Sequence, residues 1–154
     1  MSRVQKIVIV SLVILLVAGL LLVRLMLDLN ELRRQMNTRI VVDRVGRQVE
    51  MFREARGFLP EGLDQMLLEV PKGFTDSQGD PVDAWGYHLL YHRAGRGRSE
   101  QYVIASPGRD GDFDEPPDQY LHRRGYTSNR GHPNRDTILV GGKIVQGPDE
   151  VEPQ

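Results

Sequence analysis

Apolar side chains change their pattern twice along this chain. From Ile7 to Val23 they are continuous, IVIVSLVILLVAGLLLV, and uncharged. From Leu29 to Phe52 they recur every three to five residues, at Leu29, Leu32, Met36, Ile40, Val45, Val49 and Phe52, with Glu31, Arg33, Arg34, Arg39, Asp43, Arg44 and Arg47 between them. Beyond Gly57 they form short runs bounded by glycine and proline. The first pattern predicts a membrane helix about 25 Å long at 1.5 Å per residue. Leu25 to Leu27 extend it towards the hydrocarbon thickness once Arg24 snorkels to the interface. The second predicts an amphipathic helix continuing from the first, its stripe packed on its own domain or on a coiled-coil partner. The irregular spacing and Gly46 favour its own domain. Gly57 is a natural stop and Pro60 opposes continuation.

The remaining runs predict smaller elements. GLDQMLLEV, within Pro60 to Val70, suits a short helical turn closed by Pro71, and Lys72 to Asp83 reads as a loop. Tyr87 to His92 and Gln101 to Ala105 read as strands around a turn in AGRGRSE. Thr137 to Val140 and Lys143 to Val145 read as a hairpin, because Gly141 and Gly142 permit the positive φ of a tight turn. Pro107 to Arg135 shows almost no periodicity, and loops of that length are usually functional or disordered. The organisation expected is an anchor over 1–27, one α+β domain over 28–147 and a frayed acidic tail over 148–154.

With 154 residues there is room for one domain beyond the anchor. One tryptophan, four phenylalanines and five tyrosines make its core thin, and Trp85 is expected in that core. All the acidic residues lie after Val23 whereas Arg3, Lys6 and Arg24 belong to the anchor, so the domain is net acidic. That balance argues against attraction to nucleic acid or an anionic lipid surface. The lack of cysteine excludes disulfides, thiolate zinc sites and cysteine nucleophiles. A cleavable signal competes with the anchor, but no small-x-small cleavage pattern follows the apolar run. Charge does not orient the helix, since Arg3 and Lys6 on one side face Arg24, Arg33, Arg34 and Arg39 on the other.

The order FREARGFLPEGLDQML, DAWGYHLLY, YVIASPGRDGDFD and DTILVGGKIV resembles the major pseudopilin of type II secretion, pseudopilin G, over roughly Gln48 to Val145. The resemblance rests on Gly57, Phe58 and Pro60 at a helix end, on Asp83, Trp85 and Gly86 before a strand, and on Ser106, Gly108, Asp110 and Gly111 after one. It implies a pilin-like α+β fold, with a long transmembrane and amphipathic helix backing a small antiparallel sheet with a long loop. It also implies a bacterial inner-membrane location with the domain on the periplasmic side. SRVQKIVIV departs from the pilin pattern, offering no glycine before the apolar run and no glutamate within it. A permanently anchored accessory component, rather than a standard filament subunit, is therefore expected.

Asp110, Asp112 and Asp114 alternate in RDGDFDE, and hard carboxylate oxygens in a glycine-bearing loop are the donors calcium prefers. The bland alternative is a solvated Asp-Gly turn. In the resembling family this loop holds calcium, and the match carries its first aspartate to Asp110 and its last to Asp136, with Thr137 where a second aspartate is usual. His88 and His92, on a strand, would stand about 13 Å apart at 3.3 Å per residue, too far for one ion. His122 and His132, with Arg123, Arg124, Arg130 and Arg135, suit either a basic binding loop or a solvated one. Ser77, Ser99, Ser106 and Ser128 lack a nucleophile-elbow context, and there is no phosphate or dinucleotide loop, so no enzyme is expected. The leading expectation is a membrane-anchored, non-enzymatic protein contacting other envelope or secretion-machine proteins. The alternatives are an envelope binding module using the 107–135 loop and a membrane-bound metal-dependent hydrolase.

Overall fold

The computed structural model describes residues 3–66, 68–95, 99–123, 125–129 and 132–149. Arg124 and Arg130 of the expected basic loop, part of the AGRGRSE turn and residues 150–154 of the expected tail lie outside them. The chain divides into two units, Met1–Arg33 and Arg34–Gln154. One helix, α1 (Arg3–Arg56), runs through the first and into the second. Within the first unit its large apolar side chains are bare: Leu12, Ile14, Leu16, Leu20 and Leu22 are 56–64% exposed. A helix that is apolar all round and unburied is suited to lipid. Among the described residues α1 is the helix long and apolar enough to cross a membrane.

In the second unit the end of α1 lies on a five-stranded sheet. Its strands are β1 (Leu90–Ala94), β2 (Gln101–Ser106), β3 (Thr127–Ser128), β4 (Thr137–Val140) and β5 (Lys143–Gly147), in spatial order β1-β2-β4-β5-β3. A second helix, α2 (Pro117–Tyr120), is a single turn between β2 and β3. The layout is the expected α+β one. Neighbouring strands are antiparallel, except that β3 pairs parallel to β5 through Thr127 and Ser128, inside the stretch expected to be a long loop. The first strand starts at Leu90 rather than Tyr87, because residues 82–88 form a turn around Asp83 that makes only one bridge, Val82 to His88. The short helical turn after Pro60 narrows to a 3-10 turn, Leu63–Gln65.

The face of α1 that meets the sheet is Val41, Val42, Val45 and Val49, all fully buried, continued upstream by buried Thr38 and Gln35. This corrects the expected stripe. Ile40 is 50% exposed and Leu29 56%. The physical reason is helical phase: the five-residue step from Ile40 to Val45 rotates about 140° from one face, whereas steps of three and four stay on it. Gly46 is what lets the helix come close. A Cβ there would lie 2.5 Å from Leu139 Cδ1, and the Gly46 carbonyl accepts a 3.2 Å hydrogen bond from the buried Tyr102 hydroxyl. Packing of this helix within its own domain follows, as its glycine suggested.

Strand β2 alternates between two cores. Tyr102 and Ile104 face the α1 valines together with Leu59, Leu89 and Leu139. Val103 and Ala105 face the other way, against Ile138, Tyr120 and Leu121. That second face is covered by the long connection itself, through α2. Burying a leucine-sized side chain stabilises by about 1.5–3 kcal/mol, which gives the connection a reason to be ordered. Trp85 is only partly buried and belongs to neither core, contrary to expectation; its indole Nε1 is buried without a hydrogen-bond partner.

Candidate functional site in the loop between β2 and β4

The connection leaves β2 through a buried polar hinge. Asp83 is 2% exposed and its Oδ1 accepts hydrogen bonds from the Trp85 and Tyr87 N–H groups at 2.9 and 3.0 Å. Its Oδ2 accepts one from the Ser106 hydroxyl at 2.7 Å, and Ser106 Oγ accepts the Gly108 N–H at 3.2 Å. A carboxylate spread over three donors tolerates burial because each oxygen is satisfied. The Ala84 N–H donates to Thr38 Oγ1 at 3.1 Å, which ties the turn to α1. Two fragments that are far apart in sequence, around Trp85 and Gly108, therefore form one structure.

Two glycines then steer the chain. Gly108, at φ +75°, lies where a Cβ would meet the Pro133 and Arg135 carbonyls at 2.7 and 2.9 Å. Gly111, at φ +78°, lies where a Cβ would meet the Tyr87 ring at 2.7 Å. Both positions need glycine on two counts, conformation and space. Between them Asp110 accepts the Asp112 N–H on Oδ1 at 3.4 Å, the local turn contact that a solvated Asp-Gly turn makes.

At the far end of the loop Asp136 is fully buried. Its Oδ2 accepts the Tyr120 hydroxyl and the Asp114 N–H, the latter at 3.0 Å. The Asp136 N–H points back at Asp114 Oδ2, 3.5 Å away, and Tyr120 also accepts the Glu115 N–H at 2.8 Å. The Asp136 carbonyl accepts from Asn129 Nδ2 at 3.0 Å and Gln146 Nε2 at 2.9 Å. Arg123 pairs with Gln146 and, at 3.0 Å, with Glu115. Asp136 Oδ1 and Asn129 Oδ1 are left buried with no donor.

Burial dominates the electrostatics here. It pushes the Asp136 carboxyl up to about 6, aided by the nearby charges of Asp114 and Asp110, while the bonds from Tyr120 and Asp114 pull it down. The Tyr120 hydroxyl is pushed up by burial and by its bond to Asp136. Of the four expected carboxylates, Asp114 and Asp136 meet directly and Asp110 lies within electrostatic reach. Asp112 is exposed and contributes only its N–H. The four do not close into a cluster: among the described residues the carboxylate and imidazole atoms that gather in a group of three or more within 4.8 Å belong to Asp76, Asp80 and His88.

Two buried acceptors, Asp136 Oδ1 and Asn129 Oδ1, lack donors, and burial disfavours the Asp136 anion; carboxylate and amide oxygens of this kind are the donor type a hard cation takes. Tyr120, Asn129 and Gln146, whose roles depend on tertiary contact, carry no local signal in the sequence, and neither does the meeting of Asp83 with Ser106. The histidines are dispersed: His92 stands 2.9 Å from Asp118, His88 lies beside Asp76, and His122 and His132 are exposed.

The fold defines a helix-on-sheet α+β protein with a candidate membrane span. No protein-family model, curated protein or solved structure matches this chain.

Proposed function

We propose that this chain is a non-enzymatic, pilin-like protein of a bacterial inner membrane, held by the first part of α1 with its domain on the periplasmic side. It acts through protein contacts as an accessory of a type II secretion or type IV pilus-like machine. The observation that supports this most is the pairing of a bare apolar helix with a sheet packed on that helix's own continuation. The Asp83–Ser106 hinge adds to it, joining two of the sequence fragments that resemble pseudopilin G. The loop serves as a calcium-steadied surface feature, with buried Asp136 as its inner ligand and exposed Asp114 and Asp110 at the rim.

Crosslinking in native membranes followed by identification of the captured proteins tests the role. Recovery of secretion or pilus-assembly proteins is the expected result, and capture of nothing but the chain itself would sink it. The calcium reading is tested separately by thermal unfolding with saturating calcium and with chelator. A ligand that binds only the folded state must raise the midpoint, and Asp110→Ala should shrink the difference. Equal midpoints for the unmodified chain would end the calcium reading while leaving the contact role standing.

A further inference from the structure

We propose that Asp76, Asp80 and His88 form a binding site for a divalent first-row metal ion of the zinc type, separate from the loop carboxylates. Each residue offers one ligand atom, and these atoms lie within 4.8 Å of one another. They are delivered by backbone already fixed for other reasons. The Asp76 N–H donates to the Asp80 carbonyl and the Val82 N–H to the Phe74 carbonyl, both at 2.9 Å. Bridges from Thr75 to Pro81 and from Val82 to His88 bring the three short segments side by side.

The donor atoms are free for this use. Asp76 spends Oδ1 on the Gln78 and Asp80 N–H groups, at 2.8 and 2.9 Å, and leaves Oδ2 facing His88 Nε2 at 3.8 Å. That separation is too long for a hydrogen bond and close to the roughly 3.3 Å edge of a tetrahedral zinc shell built from 2.0–2.1 Å bonds. The Asp80 carboxylate makes no hydrogen bond or ion pair among the described residues, so its oxygens are open to a cation.

The imidazole decides the class of ion. Calcium and magnesium take oxygen donors, whereas a nitrogen beside two carboxylates suits zinc and its neighbours. Three protein ligands leave a fourth position open. A cleft of about 240 Å³, walled by Asp80 and His88 together with Glu61, Leu63 and Tyr91, adjoins the cluster and gives that position access to water.

The test uses the full chain in detergent micelles, stripped with chelator and titrated calorimetrically with Zn²⁺, Ca²⁺ and Mg²⁺. One Zn²⁺ per chain is expected at this site, with perturbation of the His88 ring resonances ahead of those of His122 and His132. His88→Ala and Asp80→Asn should each weaken binding by roughly 10-fold or more, and Glu54→Gln, exposed on α1 and in neither site, should leave it unchanged. Both cluster residues are exposed, so Trp85 emission should confirm that the variants remain folded. Failure to bind Zn²⁺, binding unaltered in both cluster variants, or His88-dependent binding no tighter for Zn²⁺ than for Ca²⁺ would each overturn the proposal.

Discussion

Replacing Asp136 with asparagine asks whether its buried carboxyl is a liability that a cation relieves. Burial raises this group from 3.8 to about 6. Between those values the folded chain keeps a proton that the unfolded chain has released, so stability falls as pH rises through the window and stays lower above it. A shift of about two pH units at 1.36 kcal/mol each makes the loss about 3 kcal/mol at pH 7. Asparagine can still accept from Tyr120 and Asp114, but it has no charge to bury. Its Nδ2 in place of the bare Oδ1 carries a cost of about 1–3 kcal/mol, and that cost does not change with pH.

The informative quantity is therefore the difference between the two proteins as a function of pH. Urea unfolding of the full chain in micelles, followed by Trp85 emission in chelator, should show Asp136→Asn gaining about 3 kcal/mol on the parent between pH 4 and 7. Comparing the two cancels the titrating groups that do not interact with Asp136, leaving only it and its neighbours Asp114 and Asp110. Saturating calcium should flatten or reverse the trend, because a bound cation favours the ionised carboxyl. A difference that stays constant from pH 4 to 7 in chelator would refute the reasoning, since it would mean that Asp136 ionises in the fold without penalty.

Other substitutions probe how the fold holds the loop. Gly46→Val places its Cβ against buried Leu139 and should destabilise by about 1–3 kcal/mol in urea titrations, whereas the about 1 kcal/mol of helix propensity gained by Gly46→Ala offsets much of its smaller clash. Gly111→Ala combines φ +78° with a contact 2.7 Å from the Tyr87 ring, and a loss of about 1–3 kcal/mol is expected, read as a lower thermal midpoint. Ser106→Ala removes the donor to buried Asp83 Oδ2; the expected cost is about 1–3 kcal/mol by chemical unfolding.

What could be read ahead of the structure was local. The stop after α1 is made at Gly57, at φ +81° with its N–H bonded to the Arg53 carbonyl at 2.8 Å. The last hairpin depends on Gly141 and Gly142, at φ +53° and +79°. Helical phase is not legible in the sequence, because Ile40 is as apolar as Val41 and only the sheet decides which of them is inside. The long connection shows no periodicity because its apolar burial rests on two adjacent residues, Tyr120 and Leu121, in a single helical turn among charges. Asp136 was singled out through the family resemblance; nothing in its neighbourhood of polar residues marks it as buried. Trp85 misled through its size, since the Asp83 turn holds its backbone and leaves the ring at the margin of the core.

The hinge and the carboxylates belong to one mechanical chain, and this sets what an ion could control. Thr38 on α1 holds Ala84, Asp83 holds Ser106, Ser106 holds Gly108, and the Tyr87 ring of the same turn lies against Gly111 beside Asp110. The other end of the loop is fastened independently, by Asn129 and Gln146 to the Asp136 carbonyl. Neither anchorage uses the Asp136 Oδ1 or the Asp110 carboxylate as a structural bond to the sheet. Losing a cation there would leave the β2–β4 ladder and both hinges in place and free only the span between them, from Asp110 to Asp114. On the calcium reading proposed above, exposed Phe113, next to Asp114 in that span, is the large apolar side chain whose position the cation would set.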